Sequence, residues 1–310
     1  MHSCVNPACY RWGTSLTEFV HVSRAAGFTA VEVSIQQAAA LAAALAAELG
    51  GLTALTAWRE RAGATVEQFS GIVPAGPVLP AGLLIDQEAF TATLPGLTHR
   101  LDVAAALGCR RAAVVVNPSS DLPPDQAREV ALARLDLLAE RASRYGITLA
   151  VEFIAVADPG ADLRGAHPFI TGPAALGALL DDLGRPADQV GVLLDVCHLY
   201  AAGATVAGQR SLHGRIAFVQ ACDIPTGTPP RAMSDALRCL PGTGIVDYPQ
   251  LLVDLAAAGY DGPLSIELFS PSLWELDPPA AAAALFAGTR ALLPAPATTH
   301  ANAATDGSLR

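Results

Sequence analysis

Residues Val190 to Gly203 read VGVLLDVCHLYAAG, and this stretch decides the fold. The run Val190 to Leu194 is apolar or glycine at every position, the pattern of a strand buried on both faces in a parallel sheet. It stops at Asp195, with His198 three residues on. A carboxylate at the end of a buried strand is costly unless something offsets its charge. Asp195 therefore demands a partner.

Working outward, strand-like and helix-like segments alternate. Toward the N-terminus lie ITLAVEFI (147–154), RAAVVV (111–116), ATVEQFSGIV (64–73), FTAVEVSI (28–35) and a weaker strand over 3–8. Toward the C-terminus lie IAFVQACDI (216–224) and PLSIELF (263–269). Helical patterns separate them over 14–27, 36–49, 87–107, 124–145, 171–183 and 248–259, with a last one over 280–293. Ser15 and Glu18 make a capping box for the first and Gly27 its C-cap; Gly50-Gly51 stops the second, and Pro95 breaks the third. No clear helix directly follows the sixth or seventh strand. Eight alternations in about 290 residues predict an α/β fold, a single-domain (β/α)8 TIM barrel. The barrel is expected over 1–293, and the Ala/Thr-rich piece 294–310 is expected to be a disordered tail. A doubly wound sheet is the alternative, but no GxGxxG or P-loop follows a strand.

Composition narrows the function. Of 310 residues, 52% are hydrophobic and 15% charged, enough for a large core. A net charge of −10 without a Lys/Arg cluster argues against a nucleic-acid partner. The N-terminus has no basic-then-apolar signal pattern, and the alanine-rich run 38–49 is shorter than the roughly 20 residues of a membrane span. A cytoplasmic protein with a small-molecule substrate and no membrane partner is expected; a homo-oligomer stays open. The six cysteines form no CxxC pair and read as reduced, buried side chains.

Four polar residues interrupt apolar strands near their ends: Glu152 in AVEF, Asp195 in LLDV, Gln220 in FVQA and Glu267 in SIEL. They come from strands five to eight, whose ends converge on one sector of a barrel mouth. Three carboxylates in close quarters repel, and a divalent cation removes that conflict. With the amide oxygen of Gln220 the ligand set is oxygen only, which suits Mn²⁺ first, with Mg²⁺ or Co²⁺ open, better than zinc. The competing reading pairs each acid with an arginine inside the fold. His198 is a loop cap or a functional group. Arg238 is either a surface ion pair or an anchor for substrate oxygens. Glu32 reads more simply as a buried polar partner than as a substrate contact. Trp12, Trp58 and Trp274 suit the core or a pocket wall, and Arg164 and His167 are weak candidates over the mouth.

With AVEF, GVLLDVCHLYAAG, FVQACD, RCLPGTGIVDY and AAGYDGPLSIELFSPSLWELDP in this order, the chain resembles the sugar phosphate isomerase/epimerase family, the xylose-isomerase-like barrels. The resemblance implies that Glu152, Asp195 and Glu267 bind a divalent metal, with Gln220 as fourth ligand. Ketose 3-epimerases usually carry histidine at that fourth position; glutamine is similar to the hydroxypyruvate isomerase and 3-dehydroshikimate dehydratase branches. His198 and Arg238 match positions that contact substrate oxygens. The implied activity is a metal-dependent isomerase or epimerase of a small hydroxy-carbonyl substrate, working through a metal-stabilised enediolate with Glu152 and Glu267 as catalytic acid and base. A dehydratase of the dehydroshikimate or inosose type, or a non-catalytic carbohydrate-binding barrel, are the alternatives. The histidine-rich endonuclease IV-type branch is a poor match for a chain with seven histidines.

Overall fold

The computed structural model describes residues 1–74, 81–290 and 292–293. Eight strands close into an all-parallel barrel: β1 (His2–Val5), β2 (Ala30–Ser34), β3 (Thr65–Ser70), β4 (Arg111–Val116), β5 (Thr148–Phe153), β6 (Val190–Asp195), β7 (Ile216–Ala221) and β8 (Pro263–Ile266). Each pairs with the next, and β8 closes on β1. This is the (β/α)8 barrel expected from the alternation. The tail expected over 294–310 lies outside the described residues.

The strands read as apolar throughout because both faces are covered. Their outer faces meet helices, as Val190, Val192 and Leu194 do in the main core. Their inner faces fill the barrel with Cys4, Ala30, Ala113, Ala150, Leu193 and Phe218, which form a separate enclosed cluster. Successive side chains alternate, so the next inward positions after Ala150, Leu193 and Phe218 are Glu152, Asp195 and Gln220. At the opposite end Glu67 joins Arg111 (2.7 Å) and His2 (3.1 Å), sealing the base with charge.

Several boundaries differ from the sequence reading, each for a local reason. β1 ends at Val5 because Asn6 caps a 3-10 turn over Pro7–Cys9, accepting from the Ala8 N–H. The long segment after residue 86 is two helices, Gln87–Thr93 and Leu97–Ala106, with a 3-10 turn at Leu94–Gly96 where Pro95 sits. Gly50 does not end the helical region between β2 and β3; at φ 79° it bends the chain into a second helix, Gly51–Ala62. After β6 comes no loop but a short helix, Val196–Ala201, whose Cys197 N–H is capped by Asp195 itself. Another short helix, Pro271–Trp274, follows β8. All six cysteines are free thiols, as expected. Among the described residues no helix is long and apolar enough to cross a membrane.

Gly27 ends the first helix (Leu16–Ala26) at φ 119°, where an added Cβ would lie 2.5 Å from the Phe286 ring. That ring packs edge-on against Phe28 at 5.1 Å, closing the last helix over the first. Gly27→Ala is therefore expected to lower the unfolding free energy by about 2 kcal/mol in urea titration, from strain and overpacking together. An unchanged midpoint would show that the two helices are free to separate there.

Candidate functional site at the barrel mouth

The C-terminal ends of the strands open into a cavity of about 700 Å³. Glu152 from β5, Gln220 from β7 and Glu267 just beyond β8 line it, with His198, Arg238 and Glu32. Asp195, at the end of β6, lies fully buried behind them. Neighbouring registers bring the row together: Asp195 pairs with Gln220, and Gln220 with Ser265, two residues below Glu267. The four expected polar strand ends thus converge on one mouth.

Gln220 is the informative side chain. Its Nε2 donates to Glu267 Oε1 at 3.0 Å and approaches both Glu32 oxygens at 3.3 Å. The amide nitrogen faces these carboxyl oxygens, and the amide oxygen is turned away from them. That oxygen, Oε1, is buried without a hydrogen-bond partner. Glu32 is the hub beneath, also receiving Ser265 Oγ at 2.6 Å and Gln68 Nε2 at 2.7 Å. Asn6 Nδ2 donates to Glu267 Oε1 at 2.9 Å.

Arg238 is not on the surface; its side chain is 1% exposed. Nη1 bonds Asp195 Oδ2 at 2.5 Å and Glu267 Oε2 at 3.1 Å, while Nη2 and Nε hold Asp235 Oδ1 at 2.6 and 2.9 Å. Its reading as a surface ion pair is thereby overturned: its partners come from β6, the end of β8 and its own loop. His198 lies in the helix after β6, not in a loop. Its Nδ1 is 3.4 Å from the Ala155 N–H, an acceptor position that leaves the proton on Nε2. Nε2 lies 3.6 Å from Glu152 Oε1 and 3.5 Å from Arg238 Nη2.

Charge compensation is incomplete here. Burial, with Asp195 nearby, pushes the Glu152 carboxyl well above its ordinary value. Burial does the same to Glu267 despite Arg238, and raises Glu32 against its hydrogen bonds. Burial lowers the His198 pKa, keeping that ring neutral and unable to balance the acids. Glu152, Asp195 and His198 offer ligand atoms all within 4.8 Å of one another. Buried acids in excess of positive charge, this carboxylate–imidazole cluster and the unpartnered Gln220 oxygen fit a divalent cation.

The loop carrying Arg238 is anchored by Asp223, which is fully buried. Its carboxylate accepts from the backbone N–H groups of Ile224, Gly242, Gly244 and Val246 at 2.8–3.0 Å. Gly244 approaches so closely that a Cβ would sit 2.4 Å from Asp223 Oδ1. Trp12 and Trp274 form part of the cavity wall, whereas Trp58 packs on the core. Arg164 pairs with Asp158, and the exposed His167 pairs in a two-stranded ribbon with Ser120; neither lines the cavity, though Asp158 and Asp162 of that loop do.

The sequence reading missed Asn6, Gln68, Asp235 and Ser265. Asn6 carried a usable signal, since it too is a polar residue ending a strand. Asp235 lies in an aperiodic stretch, and its one signal was an opposite charge three residues on, at Arg238.

The family described as xylose isomerase-like TIM barrel matches residues 20–292. An inosose isomerase of Halalkalibacterium halodurans is 30% identical over 143 residues, 45% of each chain. A 3-dehydroshikimate dehydratase of Pseudomonas putida is 29% identical over 174 residues, 56% of this chain and 25% of that enzyme. The chain spans 45 to 65% of the length of the inosose isomerases it matches. Among solved structures, the IOLI protein with a bound zinc atom superposes with a TM-score of 0.75 at 18% identity, covering 94% of this chain and 98% of that one.

Removing the Asp223 carboxylate leaves several backbone N–H groups without a partner. Asp223→Ala is expected to cost about 2–3 kcal/mol in chemical denaturation, with Asp223→Asn recovering part of it. Equal stability of wild type and Asp223→Ala would show that the loop holds Arg238 without this anchor.

Proposed function

The chain belongs to the xylose isomerase-like TIM barrel family, and within it we propose a divalent-metal-dependent isomerase or epimerase of a small hydroxy-carbonyl substrate. The observation that carries this reading is the buried, unpartnered Oε1 of Gln220 among three buried carboxylates. Glu152, Asp195, Gln220 through Oε1, and Glu267 would hold the cation, Mn²⁺ in the first instance. When bound, the metal polarises a substrate carbonyl and acidifies the neighbouring C–H.

The remaining chemistry falls to the side chains. Glu152 and Glu267 project from β5 and the end of β8, so a substrate between them meets a carboxylate on either side. One removes the proton; the other, or the same one, returns it. Return to the adjacent carbon gives an aldose–ketose isomer, and return to the opposite face gives an epimer. The Nε2–H of His198 and the guanidinium of Arg238 face the oxygen on which negative charge grows. The match to the dehydratase of P. putida favours one second reading, loss of a β-hydroxyl from the same carbanion.

Deuterium wash-in from D₂O, followed by NMR with Mn²⁺ present, tests the common first step. Exchange is expected into at least one member of a panel of ketoses, inososes, hydroxypyruvate and 3-dehydroshikimate. Glu152→Gln and Glu267→Gln should each slow it by about 10²–10⁴-fold while the circular dichroism spectrum is unchanged. No exchange with any member, or wild-type rates in both variants, would overturn the assignment.

A further inference from the structure

The cavity at the mouth is acidic. Glu32, Glu152, Asp158, Asp162, Asp235 and Glu267 all line it, and Arg238 is the one lysine or arginine among the described lining residues. Arg164 lies outside the lining and pairs with Asp158. With that pair set aside, and a divalent cation counted with Arg238, carboxylates still outnumber positive charges. A cleft lined by one sign of charge repels ligands of that sign before contact. Arg238 relieves little of this, because four of its five N–H groups already bond Asp195, Glu267 and Asp235. A two-point grip on an anion there means breaking one of those buried bonds.

Barrels of this architecture often hold phosphate in the loops after the seventh and eighth strands, at the start of a short helix. Here the corresponding wall is Phe269, Pro271 and Trp274. Pro271 opens the short helix and has no N–H to offer. Trp274 is fixed by its Nε1 bond to the Ala8 carbonyl at 2.9 Å, and Trp12 packs edge-on against it at 5.9 Å. This aromatic wall suits the C–H face of a polyol, with the ring hydroxyls turned toward the carboxylates.

We propose that the substrate is an uncharged polyhydroxylated ketone, carrying neither phosphate nor carboxylate, and that Asp235 sets this preference by holding Arg238. Asp235 is a positioning residue: it acts through the guanidinium it binds. The inference rests on the assignment of this mouth as the site of the proposed isomerase chemistry.

Two matched pairs of probes test it: D-fructose against D-fructose 6-phosphate, and an uncharged inosose against 3-dehydroshikimate. Calorimetric titration with Mn²⁺ present gives affinities, and deuterium exchange gives turnover. The uncharged member of each pair is expected to bind at least about ten-fold tighter. Asp235→Asn should narrow that gap by improving binding of the charged members, and Asp235→Glu should restore it. An uncharged member that is not the tighter one, including no binding by any probe, overturns the proposal, as does a gap unmoved in Asp235→Asn. Selective binding without exchange would leave charge selection standing and remove the isomerase reading. Exchange into charged probes at matching rates would do the reverse.

Discussion

The mouth of the barrel is organised by one electrostatic imbalance. Glu152, Asp195 and Glu267 are buried together, and of these three the guanidinium of Arg238 bonds Asp195 and Glu267 but not Glu152. Removing one partner of such a buried pair typically costs about 3–5 kcal/mol, because the other charge is stranded. Asp195 and Arg238 therefore depend on each other, and the surroundings are arranged to keep them in place. Asp235 grips the guanidinium from the solvent side, while Asp223 ties down the loop that carries it. Among the described residues no arginine pairs with Glu152; a neutral His198 is its neighbour at 3.6 Å. Under the proposed function, that gap in compensation is the one a bound divalent cation would fill.

The barrel makes this imbalance tolerable and useful. Alternation along the strands sends the residue two beyond each interior filler into the same layer. Ala150 is followed by Glu152, Leu193 by Asp195 and Phe218 by Gln220. Small side chains at Ala30, Ala113 and Ala150 leave the layer beneath shallow, and Ala113 is itself part of the cavity lining. The helices outside cover the strands, so the cost of burying polar groups is concentrated at one end. There the polar groups support one another: Ser265 and Gln68 satisfy Glu32, and Gln220 links Glu32 to Glu267.

Much of this was legible in the residues. The all-apolar run into Asp195 pointed to a strand with both faces covered, and eight such runs alternating with helices favoured a barrel over a doubly wound sheet. The polar strand ends Glu152, Gln220 and Glu267 were readable because each breaks an apolar pattern at an equivalent position. What escaped had no pattern to break. Asp235 opens a 3-10 turn whose C-cap is Arg238, so their (i, i+3) pairing is local and went unread because the turn lies in an aperiodic stretch. The burial of Arg238 depends on partners from β6 and β8 that are distant in sequence. The helix Gly51–Ala62 was hidden because Gly50 looks like a stop, whereas its positive φ makes a corner. The helix after β6 was hidden because its N-cap is the same Asp195 that ends the strand. Glu32 is buried and also lines the cavity, so it combines both of its sequence readings, and its link to Gln220 needed the barrel to close.

Under the proposed function, the oxygen of Gln220 completes a site for one divalent cation. A Mn²⁺ titration of the metal-stripped protein, read by electron paramagnetic resonance, tests it most directly, with Gln220→Leu as the comparison. The account predicts one tight Mn²⁺ per chain in the wild type, and binding weakened by about 10-fold or more in a folded Gln220→Leu protein, as the loss of a neutral ligand implies. A wild-type protein that binds no Mn²⁺, or a Gln220→Leu variant that binds it with unchanged affinity, would contradict it.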